Sequence, residues 1–191
     1  MKHLENRPTW DELWMSFAYL MSLRSHDPNT AVGAVFVRDN RVLSVGYNGV
    51  PSGVTPCDFM MEKPAKYEWM AHGESNAIAN AAREGVSLRG STVYVPILPC
   101  TPCARQMIQV GVRRVVVHKE GCEMYAEGNN NSEWQKGWDV LEDMFSRAYS
   151  LLDVTNSYLT QPTLEIKSMP DLPIPIMRLS DQRRRVGDRT P

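Results

Sequence analysis

The chain has 191 residues, 42% of them hydrophobic, with 21 basic against 22 acidic side chains and a formal net charge of −1. That is enough for one ordinary domain with a real core. It comes without the basic field used to bind duplex DNA and without the run of about 18 apolar residues that a membrane span needs.

Thr9-Trp10-Asp11-Glu12 has the spacing of a capping box. Leu13, Phe17 and Leu20, with Trp14 and Met21 beside them, then recur at helical spacing, which predicts an amphipathic helix over 10–24. Val32 to Val37 and Val42 to Tyr47 are β-rich runs separated by Arg38-Asp39-Asn40-Arg41, a hairpin signal. Asn48-Gly49-Val50-Pro51-Ser52-Gly53 is turn chemistry and predicts a loop at the mouth of a site. A helix over 72–84 stopped by Gly85, a strand over 92–98, a helix over 101–110 closed by Gly111 and a strand over 113–118 follow. Residues 133–149 read as helical, with a short strand at 151–154. A strand pair followed by crossover units makes an α/β domain with a mixed sheet covered by helices.

The charge is uneven. Residues 162–191 hold six basic and four acidic side chains and five of the thirteen prolines, leaving 15 basic against 18 acidic on 1–161. The domain is therefore expected over 1–160. Residues 161–191 read as a tail, either a partner-wrapping arm anchored by Ile174, Ile176, Met177 and Leu179 or an unstructured extension. Met1-Lys2-His3-Leu4-Glu5 lacks the apolar core of a signal peptide, so the expected location is the cytoplasm, where disulfides are not expected.

In that setting the four cysteines, Cys57, Cys100, Cys103 and Cys122, point to metal or redox chemistry. Cys100-Thr101-Pro102-Cys103 lies at a strand-to-helix junction, where free backbone N–H groups and the helix dipole favour a thiolate. Alone it fits a redox pair as well as a metal site. His72-Gly73-Glu74 opens the preceding helix, 28 positions before Cys100, and two helix N-termini on one sheet edge can face each other. One imidazole and two thiolates supply three zinc ligands and leave the fourth position for water, the catalytic arrangement. A closed structural site would need Cys57, Cys122 or His118 as a fourth ligand, and none has a fixed spacing to the pair. Glu74, two residues from His72, is placed to move protons without binding the metal.

His-x-Glu followed by Pro-Cys-x-x-Cys is the known signature of the zinc deaminases that act on nucleobases. The sequence resembles the cytidine and deoxycytidylate deaminase superfamily, and most closely its dCMP-acting branch, phage members included. The resemblance runs over about 10–150 and is carried by Val32-Gly33-Ala34-Val35, Gly46-Tyr47-Asn48-Gly49-x-Pro51-x-Gly53, His72-x-Glu74-x-Asn76-Ala77-Ile78, Tyr94-Val95, Pro99-Cys100-x-x-Cys103-Ala104 and Gly111-Val112-x-Arg114-Val115-Val116.

It implies a three-layer α/β/α fold with about five strands. It also implies one catalytic Zn²⁺ on His72, Cys100 and Cys103, Glu74 as acid–base residue, and hydrolysis of dCMP to dUMP and ammonia for thymidylate synthesis. By the same resemblance Asn48 hydrogen-bonds the sugar, the Gly73 N–H meets the pyrimidine O2, and Arg24 and Arg83 lie near the nucleotide or a subunit contact, although an isolated arginine can equally be a solvated surface charge. A homohexamer and dCTP and dTTP as effectors near the glycine loop also follow, with the host cytoplasm as location for a phage protein.

There are departures. The usual His-Ala-Glu is His-Gly-Glu here, which takes a methyl from the pocket wall. The insertion that carries a second zinc in certain phage members is absent, leaving Cys57 and Cys122 as free thiols or small core residues. The alternatives are another small substrate (dCTP, cytidine or guanine), a tRNA or single-stranded DNA editor, and a non-enzymatic zinc module. An editor needs a groove that tracks the phosphate backbone, usually a basic one, which the acidic balance of 1–161 does not supply. A zinc module has no use for Glu74.

Overall fold

A computed structural model of the chain describes residues 7–127, 131–148 and 163–169. The elements in chain order are α1 (Trp10–Ser22), β1 (Gly33–Arg38), β2 (Arg41–Tyr47), a 3-10 turn (Asp58–Met61), α2 (Lys66–Trp69), α3 (Gly73–Arg83), β3 (Thr92–Val95), α4 (Thr101–Gln109), β4 (Arg114–His118), α5 (Lys119–Glu127), α6 (Asn131–Arg147) and β5 (Thr163–Lys167). Every helix and strand expected up to residue 149 is present within a few residues. The expected strand at 151–154 lies outside the described residues.

The capping box forms as its spacing predicts: the Glu12 carboxylate accepts from the Thr9 N–H and the Thr9 hydroxyl from the Glu12 N–H. β1 and β2 are joined by Asp39 and Asn40, both in the left-handed region at φ 53° and 56°. This is a two-residue turn whose twist matches the flanking strands. β3 stops at Val95 rather than 98, because Pro96 has no N–H to continue a ladder. α3 begins at Gly73, with His72 as its N-cap.

The five strands form one mixed sheet in the order β2-β1-β3-β4-β5. β1 pairs antiparallel with β2 and β3, whereas β3, β4 and β5 run parallel. Side chains alternate across it. Ala34, Phe36, Val93, Val95, Val115 and Val117 meet Ala77 and Ala81 of α3, Ala104 and Met107 of α4 and Leu141 and Phe145 of α6. Val35, Val37, Tyr94 and Val116 meet Met15, Ala18 and Tyr19 of α1 on the other face. These are the three layers α/β/α. Among the described residues no helix is long and apolar enough to cross a membrane.

The sheet runs past the boundary expected at 160. β5 pairs residue for residue with β4, from Arg114 opposite Thr163 to His118 opposite Lys167, and Met169 is buried with the α1 cluster. β5 is held by charge as well as by its ladder. The Arg114 guanidinium donates to both oxygens of Asp11 on α1, each at 2.8 Å, and to both of Glu165 on β5 at 2.8 and 2.7 Å, while Lys167 also donates to Asp11. Residues 170–191 lie outside the described residues.

Arg114, with Lys167 and Tyr94 adding to it, holds the Asp11 carboxyl well below the usual carboxylate range despite burial, and Arg114 holds Glu165 down too. Carboxylates lowered in the fold contribute stability that is present above their unfolded pKa, near about 4, and lost as pH falls through the folded value. Arg114→Met should therefore cost about 2 kcal/mol at neutral pH and flatten the acid-side loss of stability below about pH 4. Denaturant melts of both chains at neutral and acid pH measure this.

Candidate active site

Two helix N-termini meet beyond the C-terminal end of β3. His72 caps α3 and Cys100 caps α4, each in extended backbone at φ −73°, ψ 159° and φ −74°, ψ 161°. Cys103 then falls in the first turn of α4, facing back toward His72. The approach of α3 to the sheet is set by Gly46 of β2, where a Cβ would come within 2.2 Å of the Gly73 carbonyl oxygen and 2.4 Å of the Ala77 nitrogen. Asn76 and Asn80 donate to the Tyr47 and Val45 carbonyls at 2.9 Å each, and Ser44 donates to the Ala77 carbonyl at 2.6 Å. They fix the rotation of α3 and with it the direction of His72.

The ligand atoms of His72, Cys100 and Cys103 lie within 4.8 Å of one another. Cys100 Sγ is 3.2 Å and Cys103 Sγ 3.5 Å from His72 Nδ1. Zinc bonds of about 2.3 Å to sulfur and 2.0–2.1 Å to nitrogen at tetrahedral angles would put N and S roughly 3.5 Å apart, so these residues fit a zinc ion. Cys57, Cys122 and His118 are not in the cluster. Cys57 is exposed, Cys122 is buried in the core with its thiol pushed up to about 12 by burial, and the His118 ring is engaged by Tyr19, Glu120 and Gly121. Among the described residues the cluster offers three ligands and no fourth.

A hydrogen bond from Cys103, joined by His72, holds the Cys100 thiol well below the usual thiol range against burial. Cys103 is pushed up, first by Cys100 and then by burial, and His72 is raised chiefly by its contact with Cys100. Ser75 Oγ lies 3.6 Å from Cys103 Sγ and donates to Gln106 Oε1 at 2.9 Å, tying the first turns of α3 and α4 together. Glu74 is 3% exposed, and burial pushes its carboxyl above the usual range. It is a buried acid beside the metal cluster and not part of it.

The remaining residues expected at the site divide. Gly73 carries the first backbone N–H of α3, which no intrahelical carbonyl reaches. The methyl it lacks is not missing from the pocket wall: a Cβ there would stand 3.0 Å from the Val32 carbonyl oxygen, against the start of β1. Asn48 is buried beside β1, but its amide is used internally. Oδ1 accepts from the Val32 N–H at 2.8 Å and Ser25 Oγ at 2.6 Å, and Nδ2 donates to the Thr30 carbonyl at 2.7 Å and Asp27 at 3.3 Å. Arg24 is exposed just after α1. Arg83 is eleven residues beyond His72, about 16 Å along the helix, where it donates to Ser52 and Asn80 and pairs with Glu84. The structure does not bring it to the metal cluster.

Asp27 and Lys66 were not foreseen. They form a partly buried ion pair that ties the loop after α1 to α2, and two backbone hydrogen bonds between Gly49 and Ala71 bring the glycine loop beside His72. Asp27 sits in the polar Ser25-His26-Asp27-Pro28 stretch, which signals a helix end; nothing local marks Lys66 as its partner.

The profile described as cytidine and deoxycytidylate deaminase zinc-binding region matches residues 8–119. A deoxycytidylate deaminase of Pongo abelii is 36% identical over 114 residues, 56% of this chain and 63% of that protein, so the chain spans under two thirds of that relative's length. The deoxycytidylate deaminase of Enterobacteria phage T2 is 31% identical over 165 residues, covering 65% of this chain and 82% of the phage protein. The crystal structure of dCMP deaminase from the cyanophage S-TIM5 in apo form superposes with a TM-score of 0.51 at 30% identity, over 63% of this chain and 93% of that one.

Zinc titrated into metal-free protein should saturate at about one ion per chain and release protons from the thiols. Cys103→Ser and His72→Ala should each lose tight binding, as read by metal analysis after dialysis.

Proposed function

The chain belongs to the cytidine and deoxycytidylate deaminase zinc-binding family, and from that premise we propose that it hydrolyses dCMP to dUMP and ammonia. The observation that carries the reading is a cluster that, among the described residues, offers a metal three protein ligands beside a buried carboxyl, Glu74. His72, Cys100 and Cys103 would hold a zinc ion, which would supply an acidified water, with a pKa of about 7, as the nucleophile.

The chain's own residues do the rest. Glu74 takes a proton from the attacking water and returns it to the ring nitrogen N3. Glu74 then takes the second proton from the new C4 hydroxyl and delivers it to the amine, so that the C4–N bond breaks, ammonia leaves and the oxygen of water stays on C4 as a carbonyl. The Gly73 N–H, at the free end of α3, donates to the pyrimidine O2. Asn48, with its amide satisfied internally, shapes the wall that meets the sugar. Arg24 meets the phosphate in this reading, which is supported by its exposure and by a guanidinium suited to bidentate phosphate contact. The site of Arg83 at the far end of α3 favours a subunit contact. Hexameric assembly, regulation by dCTP and dTTP, and a cytoplasmic location complete the reading and are supported by the family resemblance.

Glu74→Gln should keep its zinc and lose turnover by about 10²–10⁴-fold, the worth of a positioned acid–base group; full activity in this variant would refute the mechanism. An ammonia-release assay over dCMP, dCTP, CMP, deoxycytidine, guanine and single-stranded DNA tests the substrate. Release from dCMP above the others is the expected result, and activity confined to DNA or to guanine overturns the assignment.

A further inference from the structure

α1 is apolar on both sides. Its inner face, Met15, Ala18 and Tyr19, is buried on the sheet. The opposite face carries Trp10, Leu13 and Leu20 at 45, 39 and 44% exposure, with Trp14 and Phe17 half-buried between them and Trp10 stacked on Trp14 at 5.6 Å. A helix that is hydrophobic all round is one that is buried all round, yet among the described residues nothing covers this side.

We propose that the outer face of α1 is the docking strip for the C-terminal segment Ile174–Leu179 of the same chain. The last described residues lead to it. Lys167 donates to Asp11 in the first turn of α1, and Met169 is 3% exposed in the same cluster as Met15 and Tyr19. Glu120 accepts from Ser168 and from the Met169 N–H, which pins the point where the segment departs.

Size decides between the segment and a second copy of the protein. A 13-residue helix is about 20 Å long and offers on the order of 200 Å² in projection, well short of the ~800 Å² per partner of a stable interface. Six residues in extended polyproline geometry, at about 3.1 Å each, span about 19 Å and match its length. Residues 170–173 supply the run-in. The sequence Pro173-Ile174-Pro175-Ile176-Met177 suits such a strip, since its prolines favour that geometry and lack the N–H groups needed to extend the sheet, while its apolar side chains need cover.

Acrylamide quenching of Trp10 in the full chain tests this, isolated as the difference between each protein and the same protein carrying Trp10→Phe. In the unchanged chain Trp10 should be shielded at every protein concentration. Ile174→Asp combined with Ile176→Asp should abolish the shielding, with the circular dichroism spectrum and zinc content retained. Free access to Trp10 in the unchanged chain would overturn the proposal. So would shielding that survives in the double variant, and its loss on dilution there would identify a second copy as the cover.

Discussion

The structure depends on the meeting of two helix N-termini over one end of the sheet. A helix start presents backbone N–H groups without intrahelical partners, so it favours anionic ligands such as thiolates. Placing His72 at one start and Cys100 at the other, each as N-cap, brings their ligand atoms together without any long-range bend in the chain. The requirement moves to how close α3 can come to the sheet. Gly46 meets it, since any Cβ there would strike the first turn of α3. Glu74 then turns inward because it lies two residues along the helix from the cap, far enough round to leave the metal and be buried.

The opposite end of the sheet is organised by charge. Arg114 joins α1 through Asp11 and β5 through Glu165, so the parallel half of the sheet is closed by ion pairs where the other end is closed by helix caps. That difference explains what could be read from the sequence. The hairpin, α3, α4 and β4 announce themselves through periodicity and turn residues. β5 does not, although Thr163-Leu164-Glu165-Ile166-Lys167 alternates properly. Its polar positions are charged because they face Arg114 and Asp11, and the prolines and arginines around it give the region the composition of a tail. α5 was missed for another reason: Lys119–Glu127 follows β4 without a break and has Gly121, a poor helix former, in its first turn.

The metal cluster was legible because local motifs encode it: His72 and the Cys100–Cys103 pair each sit at a helix start whose direction the backbone fixes. The residues proposed to face the nucleotide were less so. Asn48 sits in a recognisable loop, but its role depends on Ser25, Asp27, Thr30 and Val32 taking up all its hydrogen-bonding capacity, which no local pattern records. Arg83 shows the converse. Its distance in sequence from His72 looks short, but on a helix it becomes a translation of about 16 Å.

The positions of the basic residues matter more than their total. Lys66, Arg114 and Lys167 are each committed to a carboxylate within the fold, and Arg38 donates to the carbonyls of Ser87 and Arg89. Cations held in this way fix loops and strands and cannot also track a run of phosphates. A polynucleotide substrate needs a succession of free positive groups along a groove, whereas a mononucleotide needs one or two beside a single phosphate. A nearly neutral chain whose basic residues are partly engaged in its own architecture therefore fits the proposed mononucleotide better than a polynucleotide, for the same reason that its sheet holds together.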